Sequence, residues 1–236
     1  MSTEKISIVI PAYNEVENLQ LLIPEILSVL DANSIDNREI IIVDDGSTDG
    51  TSNILTANTD YQLITFLQNK GKAEALQAGF AQANGDIIIT MDADLQDDPK
   101  EIPRFIEKIH EGYDLVSGRK FHRLDSTIKN QSSKFYNLFT SVMSGVYLHD
   151  HNCGFKAYRA EVLRKIKLSG ELHRYIPVLA ASQGYERITE IDIHHRKRVH
   201  GETKYNWSRF AWGIIGFVDV TIKTNGKALY IIRKLQ

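Results

Sequence analysis

"IIIVDDGSTDGT", from Ile40 to Thr51, and "GDIIITMDADLQDDP", from Gly85 to Pro99, decide the fold. Each is a run of branched apolar residues that ends on paired acids. Runs that are apolar throughout, rather than alternating, belong to strands covered on both faces, as in a parallel sheet flanked by helices. "ISIVI" (Ile6–Ile10) is a third such run, closed by Pro11 and followed by a helix-like stretch from about Glu15 to Asp31. A helix around Asp49–Ala57 follows "EIIIV" (Glu39–Val43). "QLITFL" (Gln62–Leu67) precedes the Ala-rich helical pattern "KAEALQAGFAQA" (Lys72–Ala83). A helix starts near Pro99, and "DLVSG" (Asp114–Gly118) closes the strand series. In sheets of this kind ligands bind outside the carboxyl ends of the strands. "PAYNE" and both acid clusters fall on that edge.

The second half is less regular. Helices are expected at Ser126–Gly145 and Glu171–Gln183, and strands at "GFKAY" (Gly154–Tyr158) and "RITEIDIHH" (Arg187–His195). A basic loop, "RKRVHGETKY", and an amphipathic stretch to about Thr224 complete the pattern. With no repeat and no Pro/Gly/Ser linker, the two halves are expected to pack as one α/β domain.

The 236 residues are 42% hydrophobic and 25% charged, as in a soluble globular protein, and are enough for a sizeable core. The net charge of −2 hides an asymmetry: nine Lys and Arg face two acids from His194 onward, whereas the preceding residues carry 28 acids against 19 basic residues. A basic tail suits an anionic partner such as phosphate or a membrane surface. Cys153 is the single cysteine and reads as a small packed residue in a reducing compartment. The N-terminus lacks the basic-then-apolar pattern of a signal peptide. "FAWGIIGFVDV" (Phe210–Val220) has about half the ~20 apolar residues that a membrane span needs, so it can lie on a bilayer but not cross one.

In "DADLQ", Asp92 and Asp94 end a strand with two carboxylates, which suit a hard divalent cation that in turn bridges phosphates, and Gln96 adds a neutral oxygen. Asp97 or Asp98 reads as the cap of a helix whose first position is Pro99. In "DDGSTDGT", Asp49, Gly50 and Thr51 read as turn and helix-start chemistry, and Asp44 and Asp45 as acceptors for the amide or imide of a nucleobase. His194, His195 and His200 do not read as a metal cluster, because adjacent histidines on a strand point to opposite faces.

"IPAYNEVENL", "IIIVDDGSTDGT", "NKGKAEALQAGFAQANGD" and "MDADLQDDP" together resemble the family 2 glycosyltransferases, whose nucleotide-sugar-binding fold is called GT-A. "SGRK", "NCGFKAYRAEVL", "ELHRYIPVLA" and "VHGETKY" narrow the resemblance to the dolichol-phosphate mannosyltransferase branch, whose bacterial relatives move a sugar from a nucleotide carrier onto a polyprenyl phosphate. The resemblance implies that Pro11, Tyr13, Glu15, Val43 and Asp45 hold the nucleoside, with Asp92 and Ala93 alongside, and that Asp92, Asp94 and Gln96 carry Mg²⁺ or Mn²⁺ on the diphosphate. Arg119 would approach the acceptor, Lys129 and Ser133 would clamp the lipid phosphate, and Arg174, Arg198 and Lys204 would form a basic lid over the leaving group. The spacing of Lys129 and Ser133 matches the family loosely, since arginine is commoner there and Lys134 competes. Thr203 stands where serine is common.

These roles imply an inverting, metal-dependent transfer from a UDP- or GDP-hexose to a dolichyl or undecaprenyl phosphate. A phosphate acceptor is already anionic and needs mainly positioning, whereas a hydroxyl acceptor needs a base. Where hydroxyl-acceptor relatives carry a catalytic Asp, the local acid is Glu171. The rival reading, transfer to a hydroxyl of a lipid-linked or cell-surface glycan, would rest on Glu171 or Asp150. A third reading is a donor-binding subunit without catalysis. The expected division is a catalytic domain over 1–205, with a donor half at 1–118 and an acceptor half at 119–205, and a basic tail at 206–236. That tail would touch the inner face of a membrane from the cytoplasm, or meet a separate membrane subunit. No nucleic-acid partner is expected.

Overall fold

A computed structural model of the chain describes residues 4–55, 60–120, 127–196 and 208–229, with the backbone alone for 54–55, 127–135 and 208–214. Seven strands form one sheet: β1 (Ile6–Ala12), β2 (Arg38–Asp44), β3 (Gln62–Thr65), β4 (Ile87–Thr90), β5 (Leu115–Lys120), β6 (Lys156–Arg159) and β7 (Ile188–Ile193). Their spatial order is β3-β2-β1-β4-β6-β5-β7. β6 runs antiparallel to β4 and β5, and the other pairings are parallel. The helices are α1 (Val16–Ala32), α2 (Thr51–Leu55), α3 (Lys72–Gln82), α4 (Ile102–His110), α5 (Thr127–Ser144), α6 (Ala160–Arg164), α7 (Ile176–Ser182) and α8 (Ser208–Lys223). The expected elements are present, and α6 is an addition.

The continuous apolar strands are explained by two cores. Ile8, Ile10, Ile40, Ile42 and Ile89 pack against Leu19, Leu22 and Ile26 of α1 and Phe105 of α4. The alternate residues Val9, Ile41, Val43 and Ile88 face Ala73 and Leu76 of α3 and Ile176 and Leu179 of α7. Each large aliphatic side chain buried in this way contributes about 1.5–3 kcal/mol. At the amino end of β1, Glu39 accepts from Ser7 Oγ at 2.5 Å, Lys5 Nζ at 2.6 Å and the Asn84 amide at 2.6 Å. That network ties β1, β2 and the turn before β4 together at the edge remote from the acid loops.

The reversal at β6 brings the start of that strand, rather than its end, to the edge where β1, β2, β4, β5 and β7 finish. α8 lies on the second core. Its Phe217 ring stacks edge-on with Phe139 of α5 at 5.4 Å and with Tyr175 at 6.0 Å. Among the described residues no helix is long and apolar enough to cross a membrane.

Candidate functional site

The carboxyl edge gathers seven segments: Pro11–Glu15 after β1, Asp44–Thr51 after β2, Gln68–Lys72 after β3, Asp92–Asp98 after β4, Arg119–Lys120 at the end of β5, Asn152–Gly154 before β6 and His194–Arg196 after β7. Strand register sets the first two side by side. Pro11 lies opposite Val43, and the Asp45 amide donates to the Ala12 carbonyl at 2.8 Å. Asp44 is buried and accepts from the Ser47 amide at 3.0 Å.

Asp45 supports the third loop. Its Oδ1 accepts from the Lys70 amide at 2.7 Å, and its Oδ2 from the Gly71 amide at 2.9 Å and Asn69 Nδ2 at 3.0 Å. Gly46 makes this packing possible. It has φ +72°, and a Cβ there would lie 2.4 Å from the Gln68 carbonyl carbon.

The "STDGT" segment acts across the gap between loops. Ser47 Oγ accepts from the Asn14 amide at 2.8 Å, Thr51 Oγ1 from Glu15 at 3.2 Å and Asp49 Oδ2 from Val16 at 3.1 Å. Three successive amides entering α1 are therefore capped from outside their own segment. Asn14, with φ +56°, answers by accepting from the Thr48 amide at 2.8 Å. The helix-start chemistry expected of Asp49 and Thr51 is present, but besides opening α2 it serves α1. The Asp49 carboxyl is pushed up by partial burial and pulled down more strongly by Thr51 and Val16, so it lies below its ordinary value.

After β4 the chain alternates. Asp92, Asp94 and Gln96 are partly exposed, whereas Ala93 and Leu95 are buried in the core. Leu95 has φ +62°, a left-handed conformation that costs energy for a bulky residue. Asp97 is buried behind this face and accepts from the Asp92 amide, and Asp98 caps the turn at Pro99 by accepting from the Lys100 amide at 3.0 Å. The exposed set is hard oxygen chemistry and fits Mg²⁺ or Mn²⁺. Among the described residues no three His, Cys, Asp or Glu side chains converge on one point. Within 92–96 the partly exposed face thus presents two carboxylates and one amide.

Three lysines compensate these acids. Lys72 pairs with Asp92 Oδ1. Lys156, buried on β6, donates to the carbonyls of His151 and Cys153. Lys120 lies in the field of Asp97, Asp92 and Asp150, which overcomes the effect of burial and holds its ammonium above its ordinary value. Burial would raise the Asp92 carboxyl, but Lys72, Lys120 and Lys156 hold it low. Asp97 moves up, because burial and its acidic neighbours outweigh Lys120. Gly154 packs on Asp92, and a Cβ there would lie 2.4 Å from Oδ1. A cavity of about 10 Å³ lies beneath, lined by Lys72, Thr90, Asn152, Lys156 and His173. It has room for one water at most, not for a sugar ring.

Arg119 points to the other face of β5 from Lys120. It pairs with Asp192 at 2.9 Å and Glu190 at 3.7 Å. Arg174 pairs with Glu171 at 2.7 Å and donates to Asn152 Oδ1 at 3.3 Å, which fixes the Glu171–Tyr175 turn to the start of β6. Arg196, the root of the basic loop, is committed to Glu25 at 2.6 Å and Asp98 at 2.5 Å, and its amide donates to the Gln96 carbonyl at 2.8 Å. The side chains of Lys129 and Ser133, and all of Arg198, Thr203 and Lys204, lie outside the described residues. Sequence reasoning left Lys72, Lys120, Lys156 and Gly154 without roles. The signal for Lys72 was available, since a loop following a parallel strand must reach the same edge.

Residues 7–167 match the family model for glycosyl transferase family 2. The chain is 39% identical over 208 residues to undecaprenyl-phosphate 4-deoxy-4-formamido-L-arabinose transferase of Shewanella sediminis, covering 86% of this chain and 62% of that protein. It is 40% identical to the enzyme of the same name from Yersinia enterocolitica, covering 86% of this chain and 63% of that protein. The chain thus spans less than two thirds of the length of these relatives. Its fold superposes on glucosyl-3-phosphoglycerate synthase from Mycobacterium tuberculosis in complex with Mn²⁺, UDP and phosphoglyceric acid, with a TM-score of 0.73 at 21% identity over 94% of this chain and 79% of that one. The complex of that enzyme with Mn²⁺ and UDP-glucose gives a TM-score of 0.72 at 20% identity, over 94% and 80%.

Proposed function

The chain belongs to glycosyl transferase family 2 and has the GT-A fold, and from that premise we propose that it is an inverting transferase moving a sugar from a nucleotide sugar to a polyprenyl phosphate. The observation that carries this reading is the partly exposed face of Asp92, Asp94 and Gln96 on the same edge as the β1 and β2 loops, with Lys72 paired to Asp92. The names of the similar Shewanella and Yersinia enzymes supply the acceptor class, undecaprenyl phosphate.

In this reading Pro11, Tyr13, Glu15, Val43 and Asp45 hold the nucleoside. Asp92, Asp94 and Gln96 hold a divalent cation, Mg²⁺ or Mn²⁺, which when bound offsets the charge building on the departing diphosphate. Lys72, with Arg174, Arg198 and Lys204, completes the cationic surroundings of that leaving group. Arg119, Lys129 and Ser133 orient the acceptor phosphate, whose oxygen displaces the nucleoside diphosphate in line and inverts the anomeric centre. Such an acceptor needs no base. The two candidate bases are otherwise engaged: Glu171 is paired with Arg174, and Asp150 is buried and accepts from the Asn152 amide at 3.2 Å.

Residues 1–118 would act as the donor half and 119–205 as the acceptor half. The tail from 206 would rest on the cytoplasmic face of a membrane or on a membrane subunit. Ile215, Val218 and Ile222 of α8 and Leu138 and Val142 of α5 are each more than half exposed, and the two helices pack together. An outward apolar surface of this kind suits a bilayer interface.

The test is transfer to undecaprenyl phosphate in detergent from labelled UDP- and GDP-sugars, including 4-deoxy-4-formamido-L-arabinose, with Mn²⁺, Mg²⁺ or EDTA. Lipid-linked product from one donor, lost with EDTA and in Asp94→Ala, is expected. Metal-dependent nucleotide release without lipid product would instead point to a hydroxyl acceptor.

A further inference from the structure

Asp92 offers the same carboxylate to two cations. As a proposed metal ligand it must give oxygen to a divalent ion, yet Oδ1 is already paired with Lys72. The other two lysines differ from Lys72 in how they are held. Lys156 is 2% exposed and bound to two carbonyls, so it is held in place. Lys120 is shared among Asp97, Asp92 and Asp150. Lys72 has a side chain 32% exposed, and Asp92 is its one ion-pair partner among the described residues. Of the three, it is the one that can move.

Its position is also unfavourable without an anion. Lys72 is the first residue of α3, following Gly71 at φ +103°. The positive end of a helix disfavours a cation and attracts an anion. Asp92 relieves this conflict, and a diphosphate in the same place would relieve it equally well. Ligand number points the same way. Two carboxylates and an amide fall short of the six or more oxygens that a hard divalent ion takes, so phosphate oxygens are needed to complete its shell.

We propose that Lys72 couples metal binding to donor binding: its ammonium competes with the divalent ion for Asp92 and gives way when a nucleoside diphosphate supplies another anion. The bare chain then holds Mn²⁺ weakly, and the metal settles together with the nucleotide. This inference rests on the reading of Asp92, Asp94 and Gln96 as the metal site. It differs in assigning Lys72 a role opposed to the metal in the free chain and allied with it in the complex.

The test is Mn²⁺ titration of the full chain, followed by the EPR signal of free Mn²⁺, alone and with saturating UDP or GDP. Wild type, Lys72→Met, Lys72→Arg and Asp94→Ala are compared, the last reporting Mn²⁺ held by nucleotide in solution. Wild-type affinity should rise roughly tenfold or more with nucleotide, within the range usual for coupled sites. Lys72→Met should bind bare Mn²⁺ roughly tenfold more tightly than wild type, and its response to nucleotide should shrink by about the same factor, what remains being direct ligation by phosphate oxygens. Lys72→Arg should retain the wild-type coupling. If Lys72→Met binds bare Mn²⁺ no more tightly than wild type, or if nucleotide leaves the wild-type affinity unchanged while Asp94→Ala abolishes binding, the coupling role is wrong and the metal site stands. If wild type binds no more Mn²⁺ than Asp94→Ala under any condition, the metal site fails and the coupling with it.

Discussion

Asp49→Ala tests whether the "STDGT" segment works as a cap supplied across the gap between loops. Asp49 Oδ2 accepts from Val16 at 3.1 Å, and Oδ1 accepts from the Thr51 amide at 2.9 Å and hydroxyl at 2.5 Å. The hydroxyl so held is the acceptor for the Glu15 amide. Removing the carboxylate thus loosens two of the three capped amides. The site is exposed, so water replaces part of what is lost, and a cost of about 1 kcal/mol is expected, near the middle of the range for caps. In a chain of this size that lowers Tm by about 2–4 °C. Thr48→Ala is the matched control. Its hydroxyl lies 3.5 Å from Asn14 Oδ1, while the stronger bond comes from its backbone, so a change under about 0.5 kcal/mol is expected.

The pH dependence follows from the lowered Asp49 carboxyl. A carboxyl whose pKa is depressed on folding stabilises the fold fully above its unfolded value, about 3.9, and loses that contribution as pH falls through the folded value. The gap between wild type and Asp49→Ala should be flat above about pH 5 and close below about pH 4. Hydrogen exchange at Asn14–Val16 should quicken in the variant, and KM for the donor should rise more than kcat falls. Equal Tm losses in Asp49→Ala and Thr48→Ala, with unchanged exchange at those amides, would refute the cap.

Two further substitutions probe the acid face and its surroundings. Gly154→Ala would place a methyl group 2.4 Å from Asp92 Oδ1, the mobile end of a side chain. Transfer activity should therefore fall by up to about a hundredfold through misplacement of that oxygen, with little change in Tm. A large loss of stability with activity retained would show that Asp92 does not depend on the space. Cys153 is buried and its thiol is pushed up to about 12, chiefly by burial. The native chain should resist a disulfide reagent at mildly alkaline pH and react promptly in denaturant. Fast labelling of native protein would mean that the start of β6 opens readily.

Most of the sheet was legible because its strands are buried on both faces, so Ile40–Val43 and Ile87–Ile89 carry their own signature. The reversal at β6 was not. "KAYR" reads as a short strand whichever way it runs, and its direction depends on pairing with β4 and β5 rather than on local pattern. The same division holds at the site. The alternation Asp92, Ala93, Asp94, Leu95, Gln96 could be read as one exposed face, and the burial follows it. The service of Asp49 to α1 could not, because donor and acceptor are 33 residues apart. Arg119 and Lys120 differ by one position and therefore by a whole face of the sheet, which composition does not register.

Charge is where totals along the chain say least about the site. Counting along the chain makes the first 193 residues acidic and the tail basic, so the tail reads as the natural source of positive charge for a diphosphate. In the folded chain Arg196 is spent on Glu25 and Asp98, while the cations around Asp92 come from Lys72, Lys120 and Lys156 within the acidic part. Segment totals cannot reveal this, since each lysine lies on a different element and meets the acids only when the sheet closes. Such compensation has a thermodynamic consequence. An acid pair without counter-ions would favour a cation at all times, whereas one balanced by a mobile lysine favours it only when another anion takes the lysine. In the proposed coupling, the number of carboxylates does not set the metal affinity by itself, and the release of Asp92 by Lys72 does the rest.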